Sequence, residues 1–311
     1  MKVLVTGITG FLGRHLALEM RRQGHEVGGL VREGTPHPIG LDGLPLWPLG
    51  SDYAGVESAL AEFAPDVVVH LAALFVAEHR PEDVTPLVRA NIEYGARLLD
   101  AMRVTGCSAL VYAGTSWQHY QDRDYCPVNL YAATKQAFST LAEYYLDAAA
   151  LRLLELHLYD SYGEDDPRNK LIGLLERSAR TAGDLAMSNG EQCIHLVHVD
   201  DLSRGFAMAC EQVAALSPGQ RRVYRLPSKE VISLRGLVRV FNAANPEHPA
   251  GVAWGQRPYR QREVFQPWEG GPVLPGWYPQ VDLATGLARV RNPSGPGGPP
   301  DRMNDIEVEH E

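Results

Sequence analysis

The chain is poor in lysine and cysteine and has no long apolar run. Lysine occurs at four positions only, Lys2, Lys135, Lys170 and Lys229, in 311 residues whose other cationic side chains are arginines. Acidic residues outnumber basic ones and the net charge is -9, which excludes a nucleic-acid surface, since that needs a basic face. No apolar stretch approaches the ~20 residues of a membrane-crossing helix, so no membrane partner is expected. Cys107, Cys126, Cys193 and Cys210 follow neither metal-ligand nor disulfide spacing, and the chain opens on a strand pattern where a leader would have charge and then an apolar core. A reducing, cytoplasmic setting is therefore expected.

The first half alternates strand and helix signals. Strand patterns fall at residues 2–6, 26–31, 66–71, 109–113 and 153–158, and helical patterns at 11–22, 56–63, 84–104 and 131–150. The run Val67-Val-Val-His-Leu-Ala-Ala73 is apolar but for one histidine, as in a strand covered on both faces. The fold class expected is α/β, a doubly wound parallel sheet of the Rossmann type. After Tyr162-Gly163 the pattern loosens. Helices are expected at 171–182, 199–211 and 234–244, with short strands near 193–197 and 223–226. This divides the chain into a nucleotide-binding domain at 1–165, its sheet completed by parts of 190–215, and an interleaved smaller lobe at 166–290. Residues 291–311, opening Arg291-Asn-Pro-Ser-Gly-Pro-Gly-Gly-Pro-Pro300, cannot form a core and are expected to be a flexible tail.

Between the first strand and helix stands Thr6-Gly7-Ile8-Thr9-Gly10-Phe11-Leu12-Gly13. The first glycine permits the tight turn and the second lets the backbone approach a pyrophosphate. The third lets the helix pack on the sheet, and the helix N-terminus offers free amides. The spacing is G-x-x-G-x-x-G. An ordinary strand-turn-helix corner is the bland alternative, but position at the head of a βαβ pattern favours dinucleotide binding. The second strand ends Gly29-Leu30-Val31-Arg32 with no acid at its tip, where NAD-preferring sites hold a carboxylate for the ribose. Arg32 can meet a 2′-phosphate through two donors, so NADP is expected ahead of NAD; the alternative is a solvated surface arginine, and Glu33 follows it.

Tyr131 and Lys135, four apart, lie on one face of a helix. A phenol titrates near 10, and a neighbouring ammonium favours its anion, so the pair reads as a proton donor with its activator beside the bound dinucleotide. The lysine can also hold the nicotinamide ribose. A third donor is expected where residues 109–113 end, at Gly114-Thr115-Ser116-Trp117, with Thr115 binding the reacting oxygen. His195 and His198 have no third ligand nearby, so no metal is expected.

Together these segments resemble the extended short-chain dehydrogenase/reductases of the nucleotide-sugar epimerase/dehydratase type. The resemblance is carried by the glycine loop, His70-Leu-Ala-Ala73, Asn91, Val111-Tyr112…Thr115, Pro127-Val-Asn-Leu-Tyr131…Lys135, Tyr159-Asp-Ser-Tyr-Gly163, Ser188-Asn-Gly-Glu-Gln192 and Val199-Asp-Asp201. It covers nearly all of residues 1–290. The run from Tyr159 to Leu171 is similar to the branch that reduces 4-keto-6-deoxy nucleotide sugars, with its CDP-abequose synthase-like and dTDP-4-keto-hexose reductase-like proteins. The resemblance implies cofactor contacts at Gly7, Thr9, Gly10, Phe11, Leu12, Gly13, Arg32, Leu71, Ala72, Ala73, Asn91, Tyr131, Lys135 and Leu158. It also implies substrate contacts at Ser116, Trp117, Asp160, Lys170, Leu171, Gln192, Arg257 and Tyr259.

Family dehydratases follow the threonine with Asp-Glu and sugar-acid decarboxylases with Ser-Glu; here Ser116-Trp117 leaves no carboxylate for elimination. What the resemblance then implies is an NADPH-dependent 4-ketoreductase acting on a dTDP- or CDP-linked sugar, in deoxysugar assembly for an antibiotic or a surface glycan. The alternatives are an NAD-dependent nucleotide-sugar 4-epimerase and a non-catalytic dinucleotide-sensing regulator. The Thr115, Tyr131 and Lys135 set argues against the last. Two positions depart from the family. Ile194 replaces an arginine that often meets the substrate diphosphate, leaving Arg257 or Arg260 to serve, and His157 stands where arginine is common. A homodimer through a four-helix bundle, built on 84–104 and 131–150, is implied too, and Phe138, Leu141, Tyr145 and Leu146 on more than one helix face fit it.

Overall fold

The structure is a computed structural model that describes residues 1–35, 40–50, 52–181 and 183–291. In chain order the first half runs β1 (Lys2–Thr6), α1 (Phe11–Arg22), β2 (Glu26–Arg32), β3 (Leu46–Leu49), α2 (Val56–Phe63), β4 (Val67–His70), α3 (Val84–Val88), α4 (Tyr94–Thr105), β5 (Ala109–Thr115), α5 (Leu130–Ala148) and β6 (Arg152–Leu158). The second half runs β7 (Asp160–Tyr162), α6 (Leu171–Thr181), β8 (Leu185–Ala186), β9 (Cys193–His198), α7 (Val199–Ala214), β10 (Arg221–Arg225), β11 (Val231–Ser233), α8 (Leu234–Ala244), β12 (Val252–Ala253) and α9 (Leu283–Arg291).

Apolar runs without polar alternation make strands that must be covered twice, and the sheet bears this out. Seven parallel strands lie in the order β10-β6-β5-β4-β1-β2-β3. Because side chains alternate, Val3 and Val5 enter one layer with Leu16, Met20, Leu202 and Phe206 of α1 and α7. Leu4 enters the other, with Leu60, Leu98 and Phe138 of α2, α4 and α5. Each fully buried side chain of this size contributes roughly 1.5–3 kcal/mol. The chain leaves β1 towards β2 and returns to β4 on the opposite side, so a crevice opens beyond the carboxyl ends of β1 and β4.

Several expectations need correction. The sheet is completed by β10, not by 190–215; that stretch supplies α7, which covers the sheet, and β9 of a separate sheet ordered β11-β9-β7. The helix expected over 84–104 is divided by a π-helical turn at Arg89–Glu93. Phe138 and Leu146 are buried in the chain's own core and are not available to a partner, whereas Leu141 and Tyr144 are exposed. Arg291 ends α9; the rest of the expected tail lies outside the described residues.

Residues from the second half of the chain form a separate core around Leu175, Leu196, Leu237, Phe241 and Leu287. Asp201, wholly buried in the first turn of α7, joins it to the sheet by accepting the backbone amides of Gln280 (2.7 Å) and Val281 (3.1 Å). The mouth between the lobe and the crevice is where the candidate residues gather.

Candidate active site

The glycine loop is shaped by two close approaches. Gly7 sits at φ +70°, where a Cβ would stand 2.8 Å from the Ala72 amide, and a Cβ on Gly13 would meet the Gly7 carbonyl at 2.2 Å. Gly10, by contrast, is exposed and would meet only the Gly7 carbonyl, at 3.2 Å. It caps α1 with no side chain on the free amides and no acid in the first turn, so that end of the helix keeps its positive character. These residues fit a pyrophosphate, and Thr9, Gly10 and Leu12 retain exposure around it while Phe11 is buried. Leu71, Ala72 and Ala73 follow β4 along the same crevice, and Leu158 ends β6. Arg32 is exposed at the tip of β2.

Asn91 points inward. It is buried, its side-chain amide donates to the Leu74 carbonyl (3.0 Å) and Thr134 Oγ1 (2.9 Å), and its oxygen accepts from Leu74 (2.8 Å). It pins the segment after β4 to the helix that carries Tyr131 and Lys135.

That helix, α5, begins because Asn129 caps it, accepting the Ala132 amide at 2.9 Å. Tyr131 stands half-buried in its first turn and Lys135 is buried one turn on. Burial raises the Tyr131 phenol above its ordinary range; the cation opposing this is Arg168, whose guanidinium also lies 4.3 Å over the Phe11 ring. Lys135 has its own balance of charge and burial. Burial pulls it down to about 7, against an upward pull from Glu155, and its ammonium rests 4.3 Å over the Tyr112 ring. Thr115 ends β5, nearly buried; its Oγ1 accepts from the Trp117 amide (3.3 Å) and its amide donates to Gln118 (2.9 Å), which in turn donates to Gln136 of α5 (2.8 Å). Strand end and helix are thereby held in one register.

Beyond Thr115 opens a cavity of about 400 Å³. Ser116, Trp117, Asp160, Lys170, Leu171, Gln192 and Arg257 all line it, as do Arg260 and Arg262. Tyr259 does not; its hydroxyl donates to Glu191 (3.2 Å), and its ring packs on Phe265. Phe75 joins the cavity to α5, edge-on to Tyr131 at 4.9 Å and 5.8 Å from Trp117, with the Lys170 ammonium 5.0 Å over its ring. Burial lowers the Lys170 ammonium, while Asp160 resists.

Sequence reasoning passed over Glu155, Ser139, Gln118 and His119. A signal existed for the first: Glu155 and His157, two apart in an otherwise apolar strand, must share one face. Among the described residues no group of His, Cys, Asp or Glu is arranged to hold a metal ion.

Comparison with known proteins places this geometry. Residues 3–224 match the NAD dependent epimerase/dehydratase family. The chain belongs to that family. It is 26% identical to a UDP-glucose 4-epimerase of Corynebacterium glutamicum, over 92% of this chain and 93% of that protein. It is 25% identical to a CDP-abequose synthase of Yersinia pseudotuberculosis, over 65% of this chain and 70% of that one. The fold matches a UDP-glucuronic acid 4-epimerase of Bacillus cereus with a TM-score of 0.81 at 21% identity, covering 94% of this chain and 98% of the other. Among the described residues of this epimerase/dehydratase-family protein, no helix is long and apolar enough to cross a membrane.

Proposed function

We propose that the protein reduces the 4-keto group of a dTDP- or CDP-linked 4-keto-6-deoxyhexose with NADPH, in deoxysugar assembly in the cytoplasm. The observation that carries this reading is the end of β5. Ser116 and Trp117 line the cavity directly after Thr115, so no carboxylate follows the threonine to drive elimination. What remains around the reacting carbon is a hydroxyl (Thr115), a phenol (Tyr131) and an amine (Lys135). In this reading Thr115 holds the carbonyl oxygen and Tyr131 gives it a proton as the C4–H bond forms. Lys135 orients the ribose; the bound dinucleotide supplies hydride. Lys170, Gln192 and Arg257 orient the nucleotide sugar, and Arg257 or Arg260 substitutes for the arginine missing at Ile194. Arg32 at the β2 tip supports NADPH over NADH.

A nucleotide-sugar 4-epimerase that keeps its NAD is the second reading, favoured by the near-full-length similarity to a UDP-glucose 4-epimerase. The cofactor that copurifies separates the two: tightly bound NAD supports the epimerase, an empty or NADP-loaded site the reductase. The direct test is a panel of nucleotide 4-ketosugars with NADPH; consumption of NADPH with formation of a 4-hydroxy product is expected, and epimerisation without net oxidation of NADPH overturns the reading.

The same reading includes a homodimer formed by α4 and α5. Val104, Leu141 and Tyr144 are exposed on these two helices. A helix apolar on its solvent side needs a second surface. The expected mass in dilute solution is that of a dimer, and Tyr144→Glu is expected to yield monomer.

A further inference from the structure

Behind α5, five polar side chains form a network of hydrogen bonds that the reaction proposed above does not use. Glu155 on β6, wholly buried, accepts from Ser139 of α5 (2.7 Å) and from Arg221 of β10 (2.8 Å). It lies 2.8 Å from His157 Nε2; His157 Nδ1 lies 2.8 Å from His119 Nε2; and His119 Nδ1 lies 3.1 Å from the Arg123 carbonyl. The His119 ring stacks on Trp268, centroids 3.8 Å apart at 13°, and both rings line the cavity. Room for the assembly comes from Gly114, beside Thr115, where a Cβ would stand 2.5 Å from the His157 ring and 3.0 Å from Glu155.

The protons can be counted. Both ends of this chain only accept: a carbonyl oxygen at one, a carboxylate at the other. Three contacts between them need three protons on four ring nitrogens, and two neutral imidazoles carry two. We propose that the His119–His157 pair carries one extra proton, held there by the buried Glu155 carboxylate, and that this charge fixes His119 against Trp268 and so positions one wall of the cavity. His119 and His157 are positioning residues in this scheme, acting through Trp268.

The surroundings support the assignment. Burial disfavours the Glu155 anion, but His157, Arg221 and Ser139 outweigh it and hold the carboxyl at about 2. Burial and the neighbouring His157 push His119 down to about 4, and of the two rings it is His157 that lies against the carboxylate, 2.8 Å away. The other groups facing the pair are Lys135 on α5, Tyr112 on β5, Arg221 with Glu143 behind it, Asp124 in the loop after β5, and Tyr159 and Arg225 beside the Trp268 segment. Tyr159 donates to the Trp268 carbonyl at 2.5 Å, so the tryptophan is held by its backbone on one side and by the imidazole face on the other.

The proposal stands whether or not the sugar-nucleotide reading does, because its test needs no substrate. Full-length protein carrying 15N-histidine is titrated by NMR and, in parallel, protein carrying 5-fluorotryptophan, with the Trp268 resonance assigned by Trp268→Phe. At pH 7 one imidazole protonated on both nitrogens is expected, lost in His157→Asn and in Glu155→Gln. The Trp268 fluorine resonance is expected to move with the same midpoint as that imidazole, and to lose this movement in His119→Phe. Singly protonated rings throughout the unmodified protein at pH 7 overturn the shared proton, even where a variant does not fold. A Trp268 resonance that titrates alike with and without His119 overturns its role at the wall.

Discussion

The loop between β1 and α1 offers a ligand backbone amides, whereas the cavity beyond Thr115 offers side chains: Lys170, Gln192, Arg257 and the stacked His119–Trp268 wall. The loop residues are contiguous in sequence, and their path is set by the glycines at 7 and 13. The cavity residues come from the segment after β5, from α6, from β9 and from an irregular stretch at 257–268. Amides of a turn do not change when side chains do, so in the proposed function the first region would meet what every dinucleotide shares. Long cationic and aromatic side chains on separate segments can be exchanged one at a time, so in the proposed function the second region would carry whatever distinguishes one substrate from another.

This contrast can be tested at graded cost. The largest effect is expected at the boundary between the regions. Tyr131→Phe is expected to lower kcat about 10²–10⁴-fold, the usual worth of a general acid, with dinucleotide affinity measured by fluorescence titration nearly unchanged. Normal turnover would remove the phenol from the mechanism. Next comes the cavity. Lys170→Ala is expected to raise KM for the nucleotide sugar about 10–100-fold, since a hydrogen bond to a charged group is worth about 1.5–3 kcal/mol, while leaving the KM for NADPH alone. Equal loss for both ligands would mean that the two regions are not separable.

A smaller effect is expected at the far end of the loop region. Arg32→Asp is expected to reverse the NADPH/NADH preference, weakening NADPH by about tenfold, the worth of one charge-assisted contact. Parallel kcat/KM measurements with both cofactors check it. An unmodified protein that uses both equally would make Arg32 an ordinary surface residue.

The last test concerns stability and pH. The Glu155 carboxyl is held at about 2, below the ordinary 4.5, so its contribution is present above about 4.5 and is lost as pH falls from there towards 2. Thermal melts over this range are expected to show a falling Tm, and a shallower fall in Glu155→Gln. Glu164, likewise held at about 2 by His198 and Arg289 against the opposing pull of burial, keeps part of the slope in the variant.

Much of the fold was legible because its signals are local. An apolar run such as Val67–His70 has to be a doubly covered strand, Asn129 has to begin a helix, and glycines at 7 and 13 have to be glycines where a Cβ would strike the backbone. The i, i+4 pairing of Tyr131 and Lys135 is likewise a property of one helix. The candidate site was only half legible. Tyr259, three residues from the cavity-lining Arg262, turned to Glu191, and Asn91 turned inward to hold a loop. No spacing signals either outcome, because each depends on which remote segment packs alongside.

The sequence by itself determined the parallel sheet, the glycine loop and helix α5, since hydrophobic period, capping and steric exclusion act over a few residues. Tertiary structure alone decided the charges. Burial raises the Tyr131 phenol and lowers Lys135, Arg168 comes from beyond the sheet to oppose the first shift, and Glu155, from β6, opposes the second. A side chain's ionisation depends on the solvent it loses and the charges it gains, and both arrive from elements far away along the chain.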